Sequence, residues 1–279
     1  MLRVFMLRIL IYNFIRRFLM KYKKILNIMP LFIFFIIVFS NTICAKNIVG
    51  NQKIKEIFPD HAIAKTITKI LGKQSPDELI NQYELNSITN FRQEGWKNAS
   101  DKIFDISGIQ YLNNLNEFMV IGSEISDLSP LSELTNLRSL SISYNKIIDI
   151  SPLRNLYNIT YLNLPYNSII NLNAISNLTK VEYLSVANNK IEDISPLERL
   201  KNLIALDISQ NFISNLSPLR SLQNLSELNI SFNPLNNLEI LPQLKCVVIK
   251  CYDNCNNKQA NNKKSILRQF FDWLINKKA

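Results

Sequence analysis

Leu137-Arg138-Ser139-Leu140-Ser141-Ile142-Ser143-Tyr144-Asn145 sets the register of the whole chain. Leu140 and Ile142 alternate with short polar residues, the period-two pattern of a half-buried strand. The formula returns every 22 residues in six consecutive segments without a slip. Leu115, Leu137, Ile159, Val181, Leu203 and Leu225 lead the segments, and Phe118, Leu140, Leu162, Leu184, Leu206 and Leu228 follow three residues later. A segment of this length cannot bury its apolar face alone, so neighbours must stack and share one continuous core.

The other columns fill out the unit. Asn145, Asn167, Asn189, Asn211 and Asn233 recur where each strand ends, with Ser123 in the first unit. An Asn amide there can bond the backbone of the adjacent coil and satisfy turn groups that strand pairing cannot reach. A second apolar set closes each coil: Ile147 and Ile150, Ile169 and Leu172, Ile191 and Ile194, Ile213 and Leu216. Ser-Pro-Leu follows at Ser129, Ser151, Ser195 and Ser217, while Asn173-Ala174 replaces Ser-Pro in the third unit. Pro removes a donor and fixes a dihedral, so the return arm is a short helical turn or an extended segment. Asp105, Asp127, Asp149 and Asp193 recur just before these arms and read as turn caps. The columns together define an α/β fold, a leucine-rich-repeat solenoid with a curved parallel β-sheet.

Upstream, Asp60 precedes Ile63, Ile67, Ile70 and Leu71, an apolar stripe at helical spacing that Gly72 ends. Ser75-Pro76-Asp77-Glu78 reads as a capping box opening a second helix. A terminal coil would otherwise expose its core, so this stretch reads as a helical cap. Ile57-Phe58-Pro59-Asp60, Leu71-Gly72-Lys73, Glu84-Leu85-Asn86-Ser87-Ile88 and Asp105-Ile106-Ser107-Gly108-Ile109-Gln110-Tyr111-Leu112, leading into 22-residue units, resemble the internalin family of bacterial surface and secreted proteins. The resemblance covers roughly Lys53 to Leu244. It implies a helical cap fused to a curved parallel sheet whose concave face binds a protein, often a host receptor. The chain departs from the family pattern in a longer junction around Arg92 to Lys102. The 35 residues after Leu244 are too few for the immunoglobulin-like domain that typically follows in internalins, and the chain carries no Leu-Pro-x-Thr-Gly sorting motif. The expected organisation is a signal peptide or membrane anchor over 1–45, a linker and helical N-cap over 46–105, the solenoid over 106–244, and a C-terminal cap or basic amphipathic tail over 245–279.

Lys21, Lys23 and Lys24 precede an uncharged stretch from Ile25 to Ile43, the basic and apolar regions of a secretory signal, with cleavage expected near Cys44-Ala45. The alternative is an uncleaved anchor, because the stretch is long enough to span a bilayer. Residues 1–19 are themselves basic and apolar, so the start lies at Met1 or Met20. Asn41-Thr42-Ile43 lacks the small residue expected before a lipidated Cys44. The net charge of +10 resides in the ends: residues 1–45 carry seven bases and no acids, residues 245–279 carry eight bases and two acids, and residues 46–244 come to −3. No basic stripe follows the repeats, so no nucleic-acid partner is expected. In the tail, Ile266, Leu267, Phe270, Phe271 and Leu274 have amphipathic spacing, for a cap on the last coil or, with Lys263, Lys264, Arg268, Lys277 and Lys278, for membrane contact. Cys246, Cys251 and Cys255 are an odd set from which one disulfide can form after export.

Little here suggests an enzyme. The sequence offers no nucleophile–base arrangement, no Gly-rich phosphate loop among five glycines, and a single His, His61, on the cap helix, so no cofactor or metal is expected. Strand alternation instead turns Glu117, Met119 and Ile121; Ser139, Ser141 and Ser143; Tyr161, Asn163 and Pro165; Tyr183, Ser185 and Ala187; Ala205, Asp207 and Ser209; and Glu227, Asn229 and Ser231 away from the core. Tyr144, Tyr166 and Phe232 follow on the rim. Aromatics among short polar residues compose a protein-binding patch, and the expected binding residues are Met119, Ile121, Tyr144, Tyr161, Asn163, Tyr166, Tyr183, Asp207, Glu227, Asn229 and Phe232. The expected role is an exported recognition or adhesion module, secreted or at the cell surface, for a protein partner of unstated identity. The alternative is an envelope scaffold tethered through residues 1–45.

Overall fold

A computed structural model describes residues 46–95, 99–244 and 248–251. The stacked strands form one parallel sheet of eight, each beside its sequence neighbours. In chain order these are β3 (Asn90–Glu94), β4 (Glu117–Ile121), β5 (Ser139–Ser143), β6 (Tyr161–Asn163), β7 (Tyr183–Ser185), β8 (Ala205–Asp207), β9 (Glu227–Asn229) and β10 (Val248–Lys250). Leu140, Leu162, Leu184, Leu206 and Leu228 align across the sheet, so the repeat spacing is also the pairing register. These residues, with the leading and closing columns, are nearly or fully buried in a single apolar cluster.

Six repeats led to an expectation of six strands, and the structure adds one at each end. β3 pairs Phe91 with Phe118 and Gln93 with Val120. Its inward Gln93 hides the repeat pattern, because it stands where the other strands carry an aliphatic residue. The amide is held by the cap: Thr66 Oγ1 donates to Gln93 Oε1 at 2.9 Å, and Gln93 Nε2 donates to the Asp101 carbonyl at 3.3 Å. β10 pairs with β9 within the stretch read as a C-terminal cap. The amphipathic segment from Ile266 to Leu274 and the apolar segment from Ile25 to Ile43 lie outside the described residues, as do Cys246 and Cys255.

The return arms are 3-10 turns: Ser129–Leu131, Ser151–Asn155, Asn173–Ile175, Ser195–Arg199 and Ser217–Ser221. Each Ser-Pro arm after an Asp is capped as expected. Asp149 Oδ1, for example, accepts from the Ser151 amide at 2.8 Å while its Oδ2 accepts from the Ser151 hydroxyl at 2.7 Å. Asn171 does the same for Asn173, with an amide bond of 2.7 Å, so the unit without Pro keeps its turn.

The cap begins with a two-stranded antiparallel sheet of β1 (Gln52–Lys53) and β2 (Leu79–Ile80), with α1 (Ile54–Ile57) and α2 (His61–Ile70) between them and α3 (Gln82–Asn86) after. Asp60 caps α2 through Oδ1, which accepts from Ala62 N and Ile63 N at 2.9 and 3.2 Å. Its Oδ2 accepts from Phe104 N at 2.8 Å and Asp105 N at 3.3 Å, so one carboxylate ties the cap helix to the first coil. Ile63 and Ile67 are buried as the stripe requires, but Ile70 is exposed. Ser75 to Glu78 does not open a helix. Glu78 accepts from the Ser75 amide at 3.2 Å, yet the chain turns straight into β2, whose Ile80 is fully buried. The helix starts one motif later, at Asn81, whose side chain accepts from Tyr83 N and Glu84 N while Glu84 accepts from Asn81 N. Gly108 sits at φ +97° against the cap, where a Cβ would strike the Ile57 carbonyl and lie 2.6 Å from a Phe58 ring carbon. Only glycine meets both demands.

The Asn column performs the backbone service expected of it. Asn189 Oδ1 accepts from Ile169 N in the preceding coil at 2.9 Å, and its Nδ2 donates to Leu164 O at 3.0 Å and, within its own turn, to Val186 O at 3.0 Å. Asn145, Asn167, Asn211 and Asn233 repeat both inter-coil bonds. Ser123 keeps the acceptor half, taking the Ile103 amide at 3.2 Å. Asn189→Ala should therefore destabilise by about 1 to 3 kcal/mol, because buried backbone groups lose their partners. Ser123→Ala, which removes one bond, should cost less; equal losses in denaturant unfolding would contradict these roles.

Candidate protein-binding face

The strand register arranges the outward side chains in rows across the sheet. The first row runs Asn90, Glu117, Ser139, Tyr161, Tyr183, Ala205, Glu227 and Val248; the second runs Arg92, Met119, Ser141, Asn163, Ser185, Asp207, Asn229 and Lys250. Tyr161 and Tyr183 sit side by side, with ring centroids 6.2 Å apart and planes tilted by 44°. Their neighbours Ser139 and Ala205 are small.

Facing away from the core is not the same as being exposed. Tyr161 is 7% exposed, Asn163 4% and Glu227 3%, against the expectation that these residues stand open on the face. A concave sheet brings side chains of adjacent coils together, and polar groups there bond one another. Asn163 Nδ2 donates to Ser141 Oγ at 2.9 Å and Ser143 Oγ at 3.1 Å. Met119, Ile121, Tyr183, Asp207 and Asn229 stay partly exposed.

Asp207 and Asn229 extend this floor network. Asp207 Oδ1 accepts from Ser209 N at 3.0 Å and Ser209 Oγ at 2.6 Å, and Asn229 Nδ2 donates to Asp207 Oδ2 at 3.1 Å. Asn229 Oδ1 in turn accepts from Ser231 Oγ at 2.8 Å. At the other end Arg92 pairs with Glu117 at 2.7 Å. Burial, and then the Glu117 carboxylate, raises the Tyr161 phenol well above its ordinary value. Burial, and then Glu182 and Glu227, raises that of Tyr183.

The rim is where the aromatics open to solvent. Tyr144, Tyr166, Asn188, Gln210 and Phe232 form one column at 22-residue spacing, all with φ between 51 and 58°. Left-handed backbone is uncommon for bulky residues. Tyr144 and Tyr166 stack, centroids 4.0 Å apart and planes within 8°, and Asn188 donates to Gln210 at 2.5 Å. Tyr144 and Phe232 are each 47% exposed and Tyr166 38%. Ile148, Ile170 and Phe212, on the extended segments just beyond, are exposed as well. The sequence reading missed these three, although two of them stand 22 residues apart where a solvated flank would carry polar residues. It also missed a second amide ladder: Asn136, Asn158, Asn202 and Asn224 donate to backbone carbonyls of the coil before at 2.8 to 2.9 Å.

Comparisons with known proteins agree with this architecture. The family described as the bacterial adhesion/invasion protein N terminal, the internalin N-terminal region, matches residues 44–86, and paired leucine-rich repeats match residues 157–199. Internalin C of Listeria monocytogenes is 33% identical over 73 residues, 26% of this chain and 23% of that protein. The match thus spans about a quarter of the relative's length. The crystal structure of internalin C2 from the same species superposes with a TM-score of 0.60 at 29% identity, covering 74% of this chain and all of that one. Another Listeria monocytogenes internalin, inlF, gives 0.59 at 32% identity over 72% of this chain and 65% of the other. The chain is an internalin-like leucine-rich-repeat protein, an LRR solenoid behind an internalin-type helical cap.

The buried phenol gives the face a pH signature. Unfolded, Tyr161 loses its proton near the ordinary value of 10.0, whereas the fold holds the neutral form. Its contribution is complete below that pH and is lost as pH rises above it. Tyr161→Phe should flatten the alkaline fall in stability measured by denaturant melts. Parallel declines in both proteins would contradict the assignment.

Proposed function

We propose that this chain is an exported recognition or adhesion module that binds a protein through its concave sheet and aromatic rim. The observation that carries the reading is the join between a fixed polar floor and partly exposed apolar groups. Asn163, Asp207, Asn229 and their serines are held by one another, while Met119, Ile121 and Tyr183 on the sheet and Tyr144, Tyr166 and Phe232 on the rim keep surface toward solvent. Rigid aromatics contribute contact area with little entropy left to lose, which is what interface anchors need. The likeness to internalins supports a non-enzymatic, protein-binding role and leaves the partner open, a host protein being one candidate.

Export rests on the signal-like segment over 1–45 and is supported by Cys251, which is disulfide-bonded and nearly buried. Such bonds persist in oxidising compartments. Among the described residues no helix is long and apolar enough to cross a membrane. In the tethered alternative residues 1–45 stay attached and the basic tail touches lipid. Mass spectrometry of the native N-terminus should find Ala45 or Lys46 first; an intact apolar segment would favour the tether.

Capture from host and envelope extracts tests the binding face. A saturable partner should lose roughly 2 kcal/mol of affinity with Tyr183→Ala, as anchor aromatics do. Arg154→Ala and Glu198→Ala, on return arms behind the sheet, should leave binding unchanged. No saturable partner, or equal binding by all variants, would contradict the reading.

A further inference from the structure

Charge on the concave face is one-sided. Among the eighteen outward positions from Glu117 to Ser231, Glu117, Asp207 and Glu227 are acidic and none is Lys, Arg or His. The bases of the same rows, Arg92 and Lys250, stand on the edge strands, and Arg92 is engaged by Glu117. Asp207 differs from Glu117 in its partners. Its three hydrogen bonds come from Ser209 N, Ser209 Oγ and Asn229 Nδ2, all neutral, so they fix the carboxylate without cancelling its charge.

A carboxylate offers about four acceptor directions. Two on Oδ1 and one on Oδ2 are taken, which leaves one on Oδ2, on a partly exposed residue. Tyr183 lies diagonally beside it: Ala205, paired with Tyr183, is two residues before Asp207 on β8, and Ser185, paired with Asp207, is two residues after Tyr183 on β7. Of the two intervening residues Ala205 is fully buried and Ser185 is small and partly exposed, so the partly exposed ring and carboxylate are diagonal neighbours on the face. A carboxylate with one open direction beside an aromatic ring fits an ammonium or guanidinium group whose methylene stem lies along the ring.

Resting on the concave-face reading above, we propose that the occupant is a basic segment of another protein, which places a lysine or arginine on Asp207 with its stem against Tyr183. The carboxylate is already oriented, so binding a cation there costs little further ordering.

The test pans a random peptide library displayed on phage against the immobilised full chain. Enriched peptides should carry an excess of Lys and Arg, and synthetic copies should bind about tenfold more weakly to Asp207→Asn, the loss expected of one charge-assisted hydrogen bond. Melting temperature should fall only slightly, because the Asn oxygen can keep the two Ser209 bonds and only the one from Asn229 is lost. Ser185→Lys, which sets a cation of the chain's own beside Asp207, should abolish the same binding and serves if Asp207→Asn folds poorly. Neutral or acidic peptides, or basic peptides indifferent to both substitutions, would overturn the cation assignment. If such peptides still depend on Tyr183, the concave-face reading survives alone; if they depend on no concave residue, both fall.

Discussion

The Asn amide at the end of each strand is the constraint on which the rest depends. Strands in this solenoid are short, three to five residues; coil-to-coil backbone bonds run on past them, as from Tyr166 N to Ala187 O, but turn groups such as Ile169 N and Leu164 O find their partner in an Asn side chain. Buried N–H and C=O groups left there without partners would cost about 1 to 3 kcal/mol per coil, repeated in every coil of the stack. The amide solves this with one side chain, accepting from one coil and donating to its carbonyls, as in Asn211 with Ile191 N and Val186 O. A shift of one residue would break that bond and expose the leucines together. Register is therefore doubly fixed, and the rows on the concave face inherit their alignment from it.

The same logic governs the first coil, where no repeat precedes to offer partners. Ser123 keeps a single inter-coil bond, and the cap supplies the rest through Thr66 on Gln93 and Asp60 on the Phe104 and Asp105 amides. Gly108 lets the two layers approach until only a hydrogen fits between them. A cap joined this way is continuous with the core: Phe58, Phe91 and Phe118 are all fully buried in the one cluster. That continuity explains why the cap motifs and the repeats occur together in the sequence.

The sequence carried the solenoid because its columns repeat, and the features it hid are those where one residue answers to something outside its own repeat. β3 was obscured by Gln93, whose partner Thr66 lies on a helix 27 residues away. The Ser75 motif makes a capping-box bond without a helix because Ile80 is buried in the small cap sheet instead. At the candidate site, alternation gave the direction of Tyr161, Asn163 and Glu227 but not their burial, which depends on neighbours one coil away and on sheet curvature. Rim residues Tyr144, Tyr166 and Phe232 were legible as exposed, yet their left-handed backbone was not, since after Gly122 at its head the column holds five residues of four other types, Tyr, Asn, Gln and Phe.

What the fold presents to a partner is thus narrower than its outward list of residues. The floor residues bond one another, and Tyr183, Met119 and Asp207 are partly exposed beside an aromatic rim. Site-specific photo-crosslinking reads this most directly, with a photoreactive residue installed in turn at positions 119, 183, 154 and 198 of the full chain and exposed to host and envelope proteins. A discrete adduct from 119 and 183, absent from 154 and 198, is the result the proposed concave face predicts. Adducts confined to 154 and 198, or equal at all four, would contradict a concave binding face.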